Sequence, residues 1–424
     1  MGVIAFEGPA GCGKTHRLMN ELAAALREHP LKLHQRVLAL TFMHGSRRRL
    51  DARLRGVPGL AARFEATTID SFAWRLTQRW RLLAGHMGHR IPGENDYAGT
   101  CALAAQLLQQ NVVRAWVEMS FPIVVVDEAQ DLSTERSAMI GAWAQSGTIF
   151  LAFDEFQCLD ARLLPIAIET WLRDHCRPTP LAGCRRTNND ELIQAARAVR
   201  DGRAVALNGA SFKVIATPGH VNFSATCLAN AIAWRRGGNV AVLTPSRLGG
   251  FAENAVSRVG QGPIGRHQTG PFHIHWEGND RQELDTLWAR LGIADGCGID
   301  EALRLLSGHR NLPVVSTLRD WLILRRSTSG IQIVVAADLL RQLDRALARR
   351  HHFGGRQDPQ FVAMTIQQAK NREFDHVILF WPHRMRDDPM QKRRLLYNAI
   401  TRAKRGCTVL VQSEDMLQAP PFVS

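Results

Sequence analysis

Two stretches of the chain carry residues whose types and spacing suit phosphate chemistry. The first is GPAGCGKT, residues 8–15. Its glycines Gly8, Gly11 and Gly13 let backbone N–H groups converge on an anion without interference from Cβ atoms. Lys14 supplies a mobile cation for the β and γ phosphates, and Thr15 supplies a hydroxyl for Mg²⁺. The second stretch is DEAQD, which begins at Asp127. Asp127 can orient Mg²⁺ through water, and Glu128 can polarise the water that attacks a γ-phosphate.

Each stretch needs elements to position it. The apolar run VIAF at residues 3–6 has strand character, and HRLMNELAAALREH after the loop has helical spacing. Leu18, Leu22 and Leu26 fall on one face of that helix. Strand, GxxxxGK[ST], helix is the context a phosphate loop requires, and the helix N-terminus adds partial positive charge. The run PIVVV before Asp127 suits a strand buried on both faces of a parallel sheet. Asp127 then stands at the strand's carboxyl end, where open α/β sheets bind ligands.

With 424 residues, 45% of them apolar, the chain can bury a sizeable core, in two to four domain-sized units. Lys and Arg number 53 against 39 Asp and Glu, and the resulting +14 points to a polyanionic partner, usually nucleic acid. The other reading of that charge is a solvated basic surface. The eight cysteines are scattered with no CxxC pair, which argues against a zinc cluster or a disulfide framework and fits a reducing cytosol. No run approaches the ~20 apolar residues of a membrane span. The first residues do not read as a signal peptide, because Glu7 and a loop follow VIAF at once. The expected location is cytoplasmic.

The wording DEAQD narrows the class, and further stretches follow in a recognisable order. RVLALTFMHGSRRRLDARL (36–54), TTIDSFAWRL (67–76), IFLAFDEFQCL (149–159) and LAGCRRTNNDEL (181–192) resemble motifs Ia, Ib, III and IV of superfamily 1 helicases. MTIQQAKNREFDHVIL (364–379) and RRLLYNAITRAKRGCTVLV (393–411) resemble motifs V and VI. The chain thus resembles the UvrD/Rep/PcrA type of superfamily 1A DNA helicase from Gly8 to Val411.

That resemblance implies an α/β fold of two recA-like P-loop NTPase domains, parallel sheets flanked by helices, each with an inserted subdomain. The expected layout is recA-like domain 1A at 1–78 and 119–180, a small insert 1B at 79–118, recA-like domain 2A at 181–260 and 358–424, and an insert 2B at 261–357. ATP and Mg²⁺ are the implied cofactors, with Mg²⁺ held by Thr15 and Asp127. Gln157 is expected to contact the γ-phosphate and report hydrolysis. Arg186 and Arg402 are expected to reach across from the second sheet as arginine fingers, with neighbouring Arg185 as the alternative to Arg186. Glu373 matches the motif V glutamate expected near the ribose, and Tyr397 the motif VI tyrosine.

The expected partner is single-stranded DNA, with RNA not set aside. The track implied by the motifs contains Thr41 and Phe42, Arg47 and Arg48 after them, Thr68, Phe72 and Thr365. Phe72 and Trp74 also suit core packing, and the basic run Arg47-Arg48-Arg49 also suits a solvated helix face. The sequence departs from the family along this track. Motif Ib reads Thr68-Ile69-Asp70 where Thr-Phe-His is usual, Cys158, Leu159 and Asp160 follow Gln157 in place of base-stacking aromatics, and Gln367 and Asn371 stand where motif V has His and Gly. Base stacking is worth ~1–3 kcal/mol per base, so a weaker track is expected. The family's adenine-reading segment precedes motif I; Met1 lies seven residues before Gly8, and the expectation is phosphate recognition without that reader.

The functional expectation is an ATP-driven motor on single-stranded nucleic acid, moving 3′ to 5′ by resemblance. The alternative is a nucleic-acid-stimulated ATPase without strand separation, serving a repair or phage-defence complex. Compact UvrD-like subunits of phage-defence systems, such as the helicase partner in Gabija, are of this general size, and by that analogy a protein partner such as a nuclease is expected.

Overall fold

The computed structural model describes residues 2–42, 44–60, 63–93, 96–217, 220–235, 238–247, 249–277, 280–309, 311–330, 332–353, 360–383, 385 and 388–423. It is an α/β structure with two six-stranded sheets. The strands in chain order are β1 Gly2–Glu7, β2 Val37–Thr41, β3 Phe64–Thr68, β4 Ile123–Val126, β5 Thr148–Phe153 and β6 Thr179–Pro180 in the first sheet. In the second they are β7 Phe212–Ala216, β8 Val240–Thr244, β9 His275–Trp276, β10 Phe361–Thr365, β11 Phe374–Trp381 and β12 Ala403–Val411.

The first sheet runs β3-β2-β4-β5-β1-β6, and its pairings are parallel. Its inner strands are buried on both faces, as their unbroken apolar runs require. Alternate residues divide between two cores. Leu38, Leu40, Val124, Val126, Ile149 and Leu151 face one core. Val37, Ala39, Ile123, Val125, Phe150 and Ala152 face the other. The helix Lys14–Glu28 lays the expected Leu18, Leu22 and Leu26 into the second of these cores. Leu18 and Leu22 are fully buried, and each such burial is worth about 1.5–3 kcal/mol. The opposite core takes the helix Tyr97–Leu108 through Cys101, Ala104 and Leu108, and the helix Asn111–Ser120 through Val113 and Val117.

The second sheet holds β7-β12-β11-β8 in that order, together with the parallel pair β10-β9. The runs FKVIAT, NVAVLTPS, VILFW and CTVLV form β7, β8, β11 and β12. The helix Pro389–Ile400 starts with proline in its first turn and an Asp388 cap that accepts the Gln391 N–H at 2.8 Å. It leads through Thr401 and Arg402 into β12.

The chain divides into two compact units, 2–271 with 365–423, and 272–364. The second unit gathers the helices Asp280–Leu291, Ile299–Ser307, Pro313–Ser329 and Ala336–Phe353 around Leu291, Ile299, Val315, Leu318, Leu339 and Leu343. Every residue of the site below belongs to the first unit. No helix among the described residues is long and apolar enough to cross a membrane. All eight cysteines are free thiols.

Candidate nucleotide site and nucleic-acid track

The phosphate loop leaves β1 and enters the helix Lys14–Glu28. Gly11 and Gly13 have φ of 79° and 93°, the left-handed region that favours glycine. A Cβ on Gly11 would stand 2.9 Å from the Arg186 Cβ, so the site has no room for a side chain there. Lys14 is buried, and its Nζ donates to the carbonyls of Gly8 at 2.7 Å and Pro9 at 3.1 Å. These carbonyls occupy the ammonium with the acceptors that phosphate oxygens would replace. Cys12 is buried within the loop, and burial pushes its thiol pKa up, which makes it a poor nucleophile.

At the carboxyl end of β4, the Asp127 Oδ2 accepts the Thr15 hydroxyl at 2.9 Å. Burial, with the charge of Glu128 adding to it, pushes the Asp127 carboxyl up to about 6. Glu128 behaves oppositely. Burial opposes its charge, yet Lys370, Lys14, the Gln130 amide and Arg402 together hold its carboxyl below the ordinary value. Its backbone sits at φ 60°, a conformation that costs a non-glycine residue about 1–3 kcal/mol and concentrates at functional sites. The Thr15–Asp127 pair fits a Mg²⁺ site: one buried carboxylate and one hydroxyl meet where phosphate oxygens would complete the shell. Among the described residues no group of three or more His, Cys, Asp and Glu side chains gathers to form a metal cage.

A residue outside the expected set organises the interior of the cleft. Asp154, at the end of β5, is fully buried. Its carboxylate accepts from Arg200 Nη1 at 2.7 Å, Gln157 Nε2 at 2.8 Å and the Phe156 N–H at 3.2 Å, and lies 3.9 Å from Lys14 Nζ. The Tyr397 hydroxyl lies 3.4 Å from the same carboxylate and accepts the Ala10 N–H of the phosphate loop at 2.7 Å. The sequence signal was present, an acid three residues before Gln157, but its partners are far away in the chain. Lys370 was also missed. Its Nζ meets both oxygens of Asp131 at 2.5 and 2.6 Å, with both side chains buried, and it brings the motif V loop against the DEAQD turn. Asn371, next to it, has φ 64°. Asparagine tolerates that region better than most residues, which explains why it can stand where the family pattern has glycine.

The arginines separate into different roles. Arg402 is fully buried and donates to Gln157 Oε1 at 3.3 Å and the Asn398 carbonyl at 3.1 Å. Burial, with Arg186 nearby, lowers its pKa to about 9, so it is still a cation at neutral pH. Arg186 donates to Glu373 Oε1 at 2.9 Å and to the Thr401 carbonyl at 2.7 Å. Glu373 therefore serves Arg186, and Lys404 at 3.3 Å. Arg185 instead lies over the phosphate loop: a Cβ on Gly13 would sit 3.0 Å from its Cδ and 3.4 Å from its Nε. Beside the loop, Pro9, Ala10, Cys184, Arg186, Tyr397 and Thr401 line a small cleft of about 50 Å³.

The expected nucleic-acid residues are not equally available. Thr41 ends β2 and Phe42 follows it, and the Thr41 hydroxyl is buried without a partner among the described residues. Thr68 caps the helix Ile69–Arg79, accepting the Ser71 N–H at 3.2 Å. Thr365 is tied to Gln368, whose Oε1 accepts its N–H at 2.8 Å. Phe72 is 3% exposed and packs its ring against Phe121 and Trp143 at 5.9 and 5.1 Å. With so little of the ring exposed, the structure places Phe72 in the core. Cys158, after Gln157, is likewise fully buried. Arg47 is half-buried on the helix His44–Arg55, and the side chain of Arg48 lies outside the described residues.

Comparison with known proteins gives two matches to family models. An AAA domain covers residues 1–161, and a UvrD-like helicase C-terminal domain covers residues 360–410. No curated protein matches the chain. Among solved structures, the crystal structure of Arterivirus nonstructural protein 10 (helicase) is similar with a TM-score of 0.39 and 11% identity. The match covers 99% of this chain and 62% of that one, so the chain spans less than two thirds of its length.

Proposed function

We propose that this chain, which matches an AAA domain and a UvrD-like helicase C-terminal domain, is a superfamily 1 helicase that couples ATP hydrolysis to movement along single-stranded nucleic acid. One observation carries the reading. Lys14, Thr15, Asp127, Glu128 and Gln157 from the first sheet meet Arg185, Arg186 and Arg402 from the flank of the second, and Gln157 is hydrogen-bonded to Arg402. The domain layout that goes with it is 1–78 and 119–180 for 1A and 181–260 and 358–424 for 2A, with the remainder as inserts.

In this reading Lys14 leaves its loop carbonyls for the β and γ phosphates, and Thr15 and Asp127 hold Mg²⁺. The bound Mg²⁺ neutralises charge on the phosphate oxygens. Glu128, kept ionised by its cationic neighbours, takes the proton of the attacking water. Arg402 and Arg185 stabilise charge on the transferring phosphoryl group, a role worth about 10³–10⁵ in rate. Arg186, already engaged by Glu373 and the Thr401 carbonyl, positions the loop that carries Arg185. Gln157 ties the γ-phosphate to Arg402, so loss of that phosphate changes contacts on both sheets and converts hydrolysis into motion. Direction is 3′ to 5′ by family resemblance.

A second reading has its own support. Phe72 and Cys158 are buried, so stacking groups of the usual track are lost, which suits a nucleic-acid-stimulated ATPase that does not separate strands, acting within a repair or phage-defence complex. Phosphate release with and without single-stranded DNA or RNA tests the ATPase common to both readings; no release with either strand would sink both. Unwinding of duplexes with 3′ and 5′ tails separates them, and failure on both tails favours the second.

A further inference from the structure

Motif Ib puts an acidic residue, Asp70, where the family has a histidine, and a carboxylate on a nucleic-acid track repels phosphates. The structure pairs this residue with Arg136, in the first turn of the helix Thr134–Ala144. Arg136 Nε and Nη2 donate to the two Asp70 oxygens at 2.8 and 3.1 Å, a bidentate fork that fixes the guanidinium plane. The guanidinium carbon lies 5.1 Å from the centre of the Phe42 ring. Nη1 has no acceptor among the described residues, where the bonds of the side chain are those of Nε and Nη2. Next to Phe42, the Thr41 hydroxyl is buried and has no partner among the described residues. These groups gather at the carboxyl ends of β2 and β3, the edge of the sheet on which Asp127 follows β4.

We infer that Arg136 is a nucleic-acid contact of this chain, donating through Nη1 to a phosphodiester of the single strand, with Asp70 and Phe42 as its positioning residues. Stacking is thereby exchanged for a positioned cation: Phe42 supports the guanidinium where the usual track offers a ring to a base. The ion pair has two purposes that can be separated. Arg136 neutralises Asp70, and it offers donors of its own. This inference rests on the nucleic-acid reading above, and the experiment keeps the two apart.

The measurement is binding of labelled oligo-dT and oligo-U across a salt series, by fluorescence anisotropy, for the full chain. Arg136→Gln alone leaves Asp70 unneutralised and weakens binding under either purpose. The discriminating variant is the double Asp70→Asn, Arg136→Gln, which keeps the net charge and the shape of the pair and is checked for folding by its thermal midpoint. A phosphate contact predicts that the double variant binds about tenfold more weakly and that the slope of log K against log salt falls in size by about 0.7, the value for one phosphate on a single strand. Arg136→Lys keeps a charge but loses the fork, so it keeps the slope with intermediate affinity. A folded double variant that binds with wild-type affinity and slope overturns the inference and leaves Arg136 as a neutraliser of Asp70. Wild-type protein that binds neither strand overturns the nucleic-acid reading itself, and this inference with it.

Discussion

Replacing Glu128 by glutamine tests the assignment of the base with the least disturbance of shape. The carboxylate is held ionised against burial by Lys370, Lys14, the Gln130 amide and Arg402. Glutamine keeps the volume and one oxygen for the Gln130 amide, whose bond to Glu128 Oε2 is 2.5 Å long. It removes the proton acceptor. Loss of a general base costs about 10²–10⁴ in rate, which is about 2.7–5.4 kcal/mol of barrier. Nucleotide binding should survive. The charge of Glu128 is second only to burial in raising the Asp127 carboxyl, so its removal lets Asp127 ionise more readily and serve the metal better. The expected result is a turnover number reduced at least a hundredfold, with KM for the nucleotide equal to or below wild type. Single-turnover phosphate release with saturating single strand measures the first, and a fluorescent nucleotide titration the second. Turnover within about threefold of wild type would remove Glu128 from the role of base. Loss of nucleotide binding in parallel with turnover would mark it as structural instead.

Other expectations follow from groups the structure ties together. Asp154→Ala leaves Arg200 and Lys14 facing an emptied buried position and should cost about 3–5 kcal/mol in urea unfolding; a cost under about 1 kcal/mol would contradict its place as a buried hub. A double-mutant cycle on Asp131→Asn and Lys370→Met should give a coupling of about 0.5–3 kcal/mol, since both side chains are buried and in contact; additive effects would show the pair to be idle. Burial, with Arg235 adding to it, lowers His376 from 6.5 to about 4. Below the ordinary pKa the unfolded chain takes up a proton that the folded one refuses, so stability should fall as pH drops from about 6.5 towards 4 and be unaffected above that window. His376→Asn, which keeps an acceptor for the Arg235 bond of 3.0 Å, should flatten that part of the thermal midpoint profile; an unchanged slope would assign the acid sensitivity elsewhere.

The local chemistry was legible because it is local. A phosphate loop needs its glycines, lysine and threonine within eight residues, and a buried parallel strand needs an unbroken apolar run. The sequence by itself therefore determined the first strand and helix, the Asp127–Glu128 strand end, the strands β7, β8, β11 and β12 of the second sheet and the resemblance to superfamily 1 helicases. What the tertiary structure decided are relations between distant residues and choices between neighbours. Asp154 is an ordinary acid until Arg200, 46 residues on, and Tyr397, 243 residues on, close around it. Arg185 and Arg186 are indistinguishable as letters, yet one lies over Gly13 and the other is held by Glu373, 187 residues away. Phe72 has the side chain of a stacking group and the burial of a core residue. Asp70 looked like a defect in the track until Arg136 was found to face it. In each case the deciding energy comes from burial and pairing across the chain, and a one-dimensional pattern does not contain the distances on which those depend.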